Sequence, residues 1–361
     1  MAVPNELSGE VISKLYETFV EVDGPLAPLF PPLPNDKEGV DIIYDVYKYG
    51  RQMARQVPRH SKAPNREGGT GKSVHYQGVT LKGKLNIPPQ LLDARQWGNM
   101  ESNTREVLIA RAVKQLRRDN DVRLEWLRAQ WLTGGALLSS TGSPVTNNLA
   151  DGYVYLDYNA NAASAPVAVT LGMHADNINA TVASSWASSA CTSIQTDLQH
   201  AREVIQRQTG VDSNLVIMNS NSMGYLRMNQ FLRDTDEAKA QLFKFGSIRE
   251  MWGFKFMEIN SQWPADYDTM AGTAGTDAAT LYFIPDNVVI VTSDDNAACG
   301  RDMLECSPSD MKAPRGMRGV YAWTDEEVEH PHEFAPGLEW SGGPITGVPN
   351  TVKLFKDITA A

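Results

Sequence analysis

The apolar residues of this chain change their spacing along its length, and each change marks an element. Ile109, Val113, Leu116, Leu124, Leu127 and Trp131 recur at steps of 4, 3, 8, 3 and 4, the repeat of one helix face. Asn103 or Thr104 can cap the start, and Gly134-Gly135 ends it. At 1.5 Å per residue, Thr104 to Leu132 predicts a helix of roughly 40 Å. Ile194, Leu198, Ala201 and Ile205 share one face of a second helix that Gly210 stops. A third runs from a Ser/Asn cap near Ser222 through Leu226 and Leu232. Elsewhere the period is two. Val79, Leu81, Leu85 and Ile87 lie on one face and Thr80, Lys82, Lys84 and Asn86 on the other, as in a half-buried strand. Short strand-like runs stand at 42–47, 153–158, 166–171, 215–218, 254–259, 281–284, 288–291 and 351–358. Pro285-Asp286-Asn287 is a turn sequence joining the runs on either side of it. Strands and helices are partly segregated, which predicts an α+β fold rather than a doubly wound sheet.

Two stretches carry no such signal. Residues 22–36 contain Pro25, Pro28, Pro31, Pro32 and Pro34. Proline fixes φ and removes donors, so an extended arm is expected there. From Gly50 to about Met100 there is no helical period, and so long a loop within a compact domain is functional or disordered. Arg51 to Arg59 could pair with the strand at 79–87, leaving Ser61 to Gln77 as a glycine-rich tip. An isolated hairpin is marginal in water. This one needs a surface, from its own domain or from a neighbouring subunit.

Composition narrows the class. The chain has 361 residues and is 42% hydrophobic, enough to fill a core. A net charge of −10 argues against a general nucleic-acid coat. No run approaches the roughly 18 apolar residues of a membrane helix. The start, MAVPNELSGEV, has neither the basic nor the apolar part of a secretory signal. Cys191, Cys299 and Cys306 read as reduced thiols of a cytoplasmic product rather than a disulfide framework. The net charge hides an asymmetry. From Lys48 to Lys84 the charged residues are Lys48, Arg51, Arg55, Arg59, Lys62, Arg66, Lys72, Lys82 and Lys84, with Glu67 the sole acid. The region before this basic segment is acidic, and so is the distal part, as at Asp325, Glu326, Glu327 and Glu329. Such a segment binds an anion such as phosphate or nucleic acid, or the acidic surface of another copy, or is merely solvated. On the long helix, Arg105, Arg111, Lys114, Arg117, Arg118, Arg123 and Arg128 are expected to be exposed, with Asp119, Asp121 and Glu125 as partners.

Motifs for chemistry fail on inspection. Gly71-Lys72-Ser73 matches the end of a phosphate-binding loop, but its first glycine would fall at Arg66. That loop also needs a strand before it and a helix after it. His330-Pro331-His332 beside Glu329 and Glu333 could ligate a metal, but has no third histidine or cysteine nearby. Neither a nucleophile elbow nor a cysteine-pair signature is present.

The order of parts is the strongest signal: proline-rich arm, strand, basic glycine-bearing hairpin, long helix, α+β region, terminal strand. It resembles the major capsid proteins of tailed bacteriophages with the HK97-like fold, most of all the lambda-like major capsid protein family. The Ile284-Pro285-Asp286-Asn287-Val288 turn and the loop tip Arg66-Glu67-Gly68-Gly69-Thr70 are similar to the family's own. The resemblance implies an N-terminal arm at 1–48 and an extended E-loop β-hairpin at 49–100. It implies a P-domain at 101–179 with a spine helix at 103–133, an A-domain at 180–305, and a return to the P-domain at 306–361 with the terminal strand. These are two interleaved domains with long extensions. The implied role is structural: self-assembly into pentamers and hexamers of an icosahedral head that encloses double-stranded DNA, assembled in the bacterial cytoplasm and located in the virion. It implies no catalytic, cofactor-binding or metal residues and no membrane partner. A separate scaffold, a portal and a decoration protein are the further partners expected. The lysine and asparagine that crosslink some relatives are not identifiable, so non-covalent shells are expected. Arg51, Arg55, Arg59, Lys62, Arg66, Lys72, Val79, Leu81, Leu85 and Ile87 are the candidate inter-subunit contacts. The competing functions are a nucleotide-binding enzyme using Gly71-Lys72-Ser73 and a DNA-binding protein using the basic hairpin and helix.

Overall fold

In the computed structural model the longest apolar repeat becomes helix α1 (Arg105–Thr133). The structure describes residues 24–35, 41–48, 70–85, 105–133, 153–156, 167–170, 173–178, 180–235, 239, 241–242, 248–264, 280–308, 313, 317–326, 334–355 and 357–359. Ahead of α1 stand β1 (Pro32–Pro34), β2 (Asp41–Lys48), β3 (Thr70–Gln77) and β4 (Val79–Lys84). After it come β5 (Tyr153–Leu156), β6 (Val167–Thr170), α2 (Ala175–Ile178), α3 (Ile194–Thr209), β7 (Leu215–Met218), α4 (Ser220–Met228) and α5 (Gln230–Asp234). Next are β8 (Glu250–Met251), β9 (Phe254–Glu258), β10 (Gln262–Pro264), β11 (Thr280–Tyr282), β12 (Val289–Thr292) and α6 (Asn296–Cys299). β13 (Arg301–Glu305), β14 (Val320–Glu326), β15 (Phe334–Thr346) and β16 (Lys353–Phe355) complete the order. The chain divides into two compact units, neither contiguous in sequence. The first takes residues 1–42, 75–128 and 302–344, the second 43–74, 129–301 and 345–361.

In the first unit, β15 is the hub. β14 and β4 each pair antiparallel with it, and β1 pairs parallel with β13 at the other end of the sheet. The proline-rich stretch is not simply an extended arm. Ala27–Leu29 form a 3₁₀ turn before β1, and Leu26, Leu29 and Phe30 are buried. Prolines suit β1 because its outer edge needs no donors. The apolar stripe of α1 packs as its spacing requires, with Val113, Leu116, Leu127 and Trp131 buried. The expectation of a wholly exposed basic face fails at Arg117 and Arg128, which are both buried. Every residue from Glu125 to Thr133 is buried.

The second unit holds a five-stranded sheet in the order β16-β12-β7-β9-β8, with β7 and β9 parallel and the other pairs antiparallel. β7 and β12 are buried at every position, which is why both read as unbroken apolar runs. α3 lays Ile194, Leu198, Ala201 and Ile205 into the core and ends at Gly210, whose φ of 79° is the left-handed cap. The third predicted helix is two. Asn229 ends α4 and caps α5, its side-chain oxygen accepting from the Leu232 N–H. The runs flanking Pro285-Asp286-Asn287 are not partners, since β11 pairs with β10 while β12 joins the main sheet. The terminal strand is shorter than predicted because Pro349–Thr351 forms a 3₁₀ turn. It also pairs with β12, so it belongs to the sheet built from 215–292.

Candidate assembly surfaces

The hairpin pairs differently from the sequence reading. β3 falls inside the expected tip and pairs with β2, while β4 pairs with β15. Arg51, Arg55, Arg59, Lys62, Arg66 and Ile87 lie outside the described residues, and Lys72 belongs to β3. Val79, Leu81 and Leu85 are half-buried on their own chain. They share a face with Gly83, where an added Cβ would come within 2.9 Å of Leu116 on α1. The apolar side of this strand is thus turned toward the long helix of the same unit.

The polar side of β4 meets a buried acid. Lys82 faces Glu339 across the β4–β15 register, and its Nζ lies 3.2 Å from a Glu339 carboxylate oxygen that solvent does not reach. Ser341 Oγ stands 3.3 Å from the other Glu339 oxygen and 3.2 Å from Thr80 Oγ1, so its hydroxyl can donate to the acid while accepting from Thr80. For Lys82, the acidic partner of the basic stretch lies within the same chain.

The β2–β3 ribbon has two unlike faces. Ile42, Tyr44, Val46, Val74 and Tyr76 are buried, and the Tyr76 hydroxyl donates to the Pro344 carbonyl at 2.7 Å. Burial raises the Tyr44 phenol well above its usual pKa. The other face is exposed, with Ser73 donating to Asp45 at 2.5 Å and His75 standing 3.8 Å from Asp41.

In the second unit the Pro285-Asp286-Asn287 turn is a junction. Asn219 caps α4 through the Ser222 N–H, and its amide, with that of Asn221, donates to one Asp286 oxygen at 2.5 and 3.0 Å. Asn287 adopts φ 63°. Its N–H donates to Ser222 Oγ, its side-chain oxygen accepts from Tyr225, and its carbonyl accepts from the Ile358 N–H. At the α4–α5 elbow Met228 and Phe231 are exposed, at 71% and 47%. The turn itself was legible in sequence, but its partners were not.

Gly71-Lys72-Ser73 lies within strand β3, which leads into strand β4 and not into a helix. Among the described residues no three His, Cys, Asp or Glu side chains are grouped to hold a metal. No helix among them is long and apolar enough to cross a membrane. His330 and His332 lie outside the described residues. Cys191, Cys299 and Cys306 are buried and free, and burial pushes the Cys306 thiol up.

An α+β chain with a 29-residue helix, a strand ribbon ahead of it and a separate five-stranded sheet after it has the HK97-like capsid fold. The sequence model of phage major capsid protein E matches residues 38–332, and the chain belongs to that family. Among solved structures it is similar to the putative capsid protein of a prophage from E. coli CFT073, at 13% identity over 99% of each chain and a TM-score of 0.59. It is also similar to a phage-related protein from Bordetella bronchiseptica RB50, at 12% identity over 98% of each chain and a TM-score of 0.53. At such identities the likeness is one of fold. No curated protein matches the chain. The protein is a structural subunit of a phage capsid, resident in the virion and associating with copies of itself.

Proposed function

We propose that this protein builds an icosahedral head from pentamers and hexamers of itself and encloses double-stranded DNA without sequence-specific contact. The match to the major capsid family over residues 38–332 carries the reading. The role is structural and non-enzymatic, with no cofactor. A scaffold, a portal and a decoration protein are supplied separately. Residues 1–48 act as an arm, 49–100 as the E-loop, 101–179 and 306–361 as the P-domain and 180–305 as the A-domain. Arg51, Arg55, Arg59, Lys62 and Arg66 meet acidic surface on adjacent copies. Exposed ion pairs are each worth only about 0–1 kcal/mol, so their part is register more than affinity. The many copies in a shell turn modest contacts into a stable assembly. The net charge of −10 suits this reading, because such a chain can contain DNA without adhering to it.

Electron microscopy of the purified protein tests the proposal. Closed shells of one protein support it. A monomer that never assembles, at any concentration or with a scaffold added, overturns it.

A further inference from the structure

The first unit holds a cavity of about 300 Å³, the size of a small ligand site. Its walls come from three places in the chain. The proline-rich stretch gives Pro28, Phe30 and Pro31, α1 gives Leu124, and the sheet gives Met303 and Trp340. These walls are tied to one another. Glu125 of α1 accepts the Leu26 N–H at 2.7 Å, and the Met303 N–H donates to the Pro31 carbonyl at 2.8 Å. The cavity is thus formed on the single chain. Proline has no N–H, so this side of it offers mainly apolar surface.

Among the described residues three charged side chains line it, Arg128, Asp121 and Glu305. Both acids already have partners, and Asp121 lies 3.8 Å from Arg117. Arg128 is less well served. It is 9% exposed, and a guanidinium carries five N–H donors. Its one acceptor among the described residues is Glu125, 3.3 Å from Nη1, and its Nε is buried with no acceptor. The side chain keeps 11% of its surface open, so the fork is recessed but not sealed. Buried donors without acceptors are costly, so the cavity calls for an oxygen. An anionic oxygen would meet Asp121 and Glu305 in the lining and Glu125 beside Arg128. An ammonium brings no acceptor. An uncharged carbonyl answers the guanidinium without that repulsion, and the walls cover an apolar body attached to it.

We propose that this cavity binds a compact, uncharged group, an apolar body bearing a carbonyl, with the oxygen on the Arg128 guanidinium and the body against Pro28, Pro31, Leu124 and Trp340. An apolar residue of a peptide and a free small amide share that chemistry. The site goes beyond the capsid reading and does not depend on it.

The test titrates the full chain with N-acetylleucinamide, N-acetylleucine and leucinamide, followed by saturation-transfer NMR. The three share one side chain and are neutral, anionic and cationic. The neutral amide should bind about tenfold more tightly than either charged relative. Leu124→Trp fills the cavity from a half-buried position and should abolish that binding while the chain stays folded in urea titration. Arg128→Lys keeps a cation for Glu125 but loses the planar fork, and should weaken the amide about tenfold. It decides the matter if Leu124→Trp does not fold. No binding of the neutral amide, equal binding of N-acetylleucine, or unchanged binding in a folded variant overturns the site. Electron cryomicroscopy of assembled shells separates the two sources. Density continuous with a protein chain marks a peptide residue, and discrete density marks a free compound. Water alone in the cavity overturns its occupancy in the particle.

Discussion

Glu125 shows what a single buried charge does here. One carboxylate oxygen accepts the Leu26 N–H at 2.7 Å, and the other lies 3.3 Å from Arg128 Nη1. Gly24 packs so tightly against it that an added Cβ would come within 2.2 Å of the carboxyl carbon. The acid ties the 3₁₀ turn to the long helix within the first unit. Glu125→Ala would strand Arg128 and an amide, lowering stability by about 3–5 kcal/mol in urea unfolding. Asp294 is an exposed counterpart. It accepts from Lys255 at 2.5 Å and from Asn214 at 2.8 Å, and these bonds hold its pKa below 3.8 while that of Lys255 rises above 10.5. A lowered carboxylate stabilises the fold above its unfolded pKa and loses that stabilisation as pH falls through the folded value. Melting of the parent and Asp294→Asn from pH 7 downward should therefore show a constant difference near neutrality that shrinks below pH 3.8. None of these roles was open to sequence reading, because charge type does not announce burial. Phase gave a partial hint, since Glu125 adjoins the apolar positions of α1.

Elements read by period were found where they were expected, while their partners depended on long-range pairing. Helices α1 and α3 and strands β7 and β9 follow directly from spacing, caps and unbroken apolar runs. The tip assigned to 61–77 overlapped β3 because Thr70–Gln77 is mostly polar or glycine, with Val74 and Tyr76 the buried apolar side chains among its described ones. Two apolar residues give too little alternation to mark a strand. The helix expected through Leu232 broke at Asn229 because that side chain caps the next turn and its amide donates to the Cys191 carbonyl. At the Pro285-Asp286-Asn287 turn, backbone and side chain can be tested apart. Asn287→Val places a β-branched residue at positive φ and should cost about 1–2 kcal/mol from backbone strain alone. Asn287→Gly relieves the backbone and forfeits the Tyr225 bond, so its stability should stay within about 1 kcal/mol of the parent. Chemical denaturation of the two variants distinguishes these terms.

At the scale of the molecule, family and fold were visible from the order of parts, while the assembly contacts were not, because a single chain does not record its neighbours. The basic segment ahead of β3 is the place to intervene. Removing residues 61–69 spares Val74 and Tyr76, and should leave a soluble, folded subunit that no longer forms regular shells in electron micrographs. Normal shells would refute a role for that segment. The division into two units without contiguous segments has a further meaning. β15, the hub of one sheet, begins at Phe334, and β16, the edge of the other, ends at Phe355. A ribosome emits about 5–20 residues per second from the N-terminal end, and folding follows that order where it can. Here one sheet cannot close until β15 has been made, and the other until β16 has. A chain cut before Phe334 therefore lacks both the hub of one sheet and the edge strand of the other.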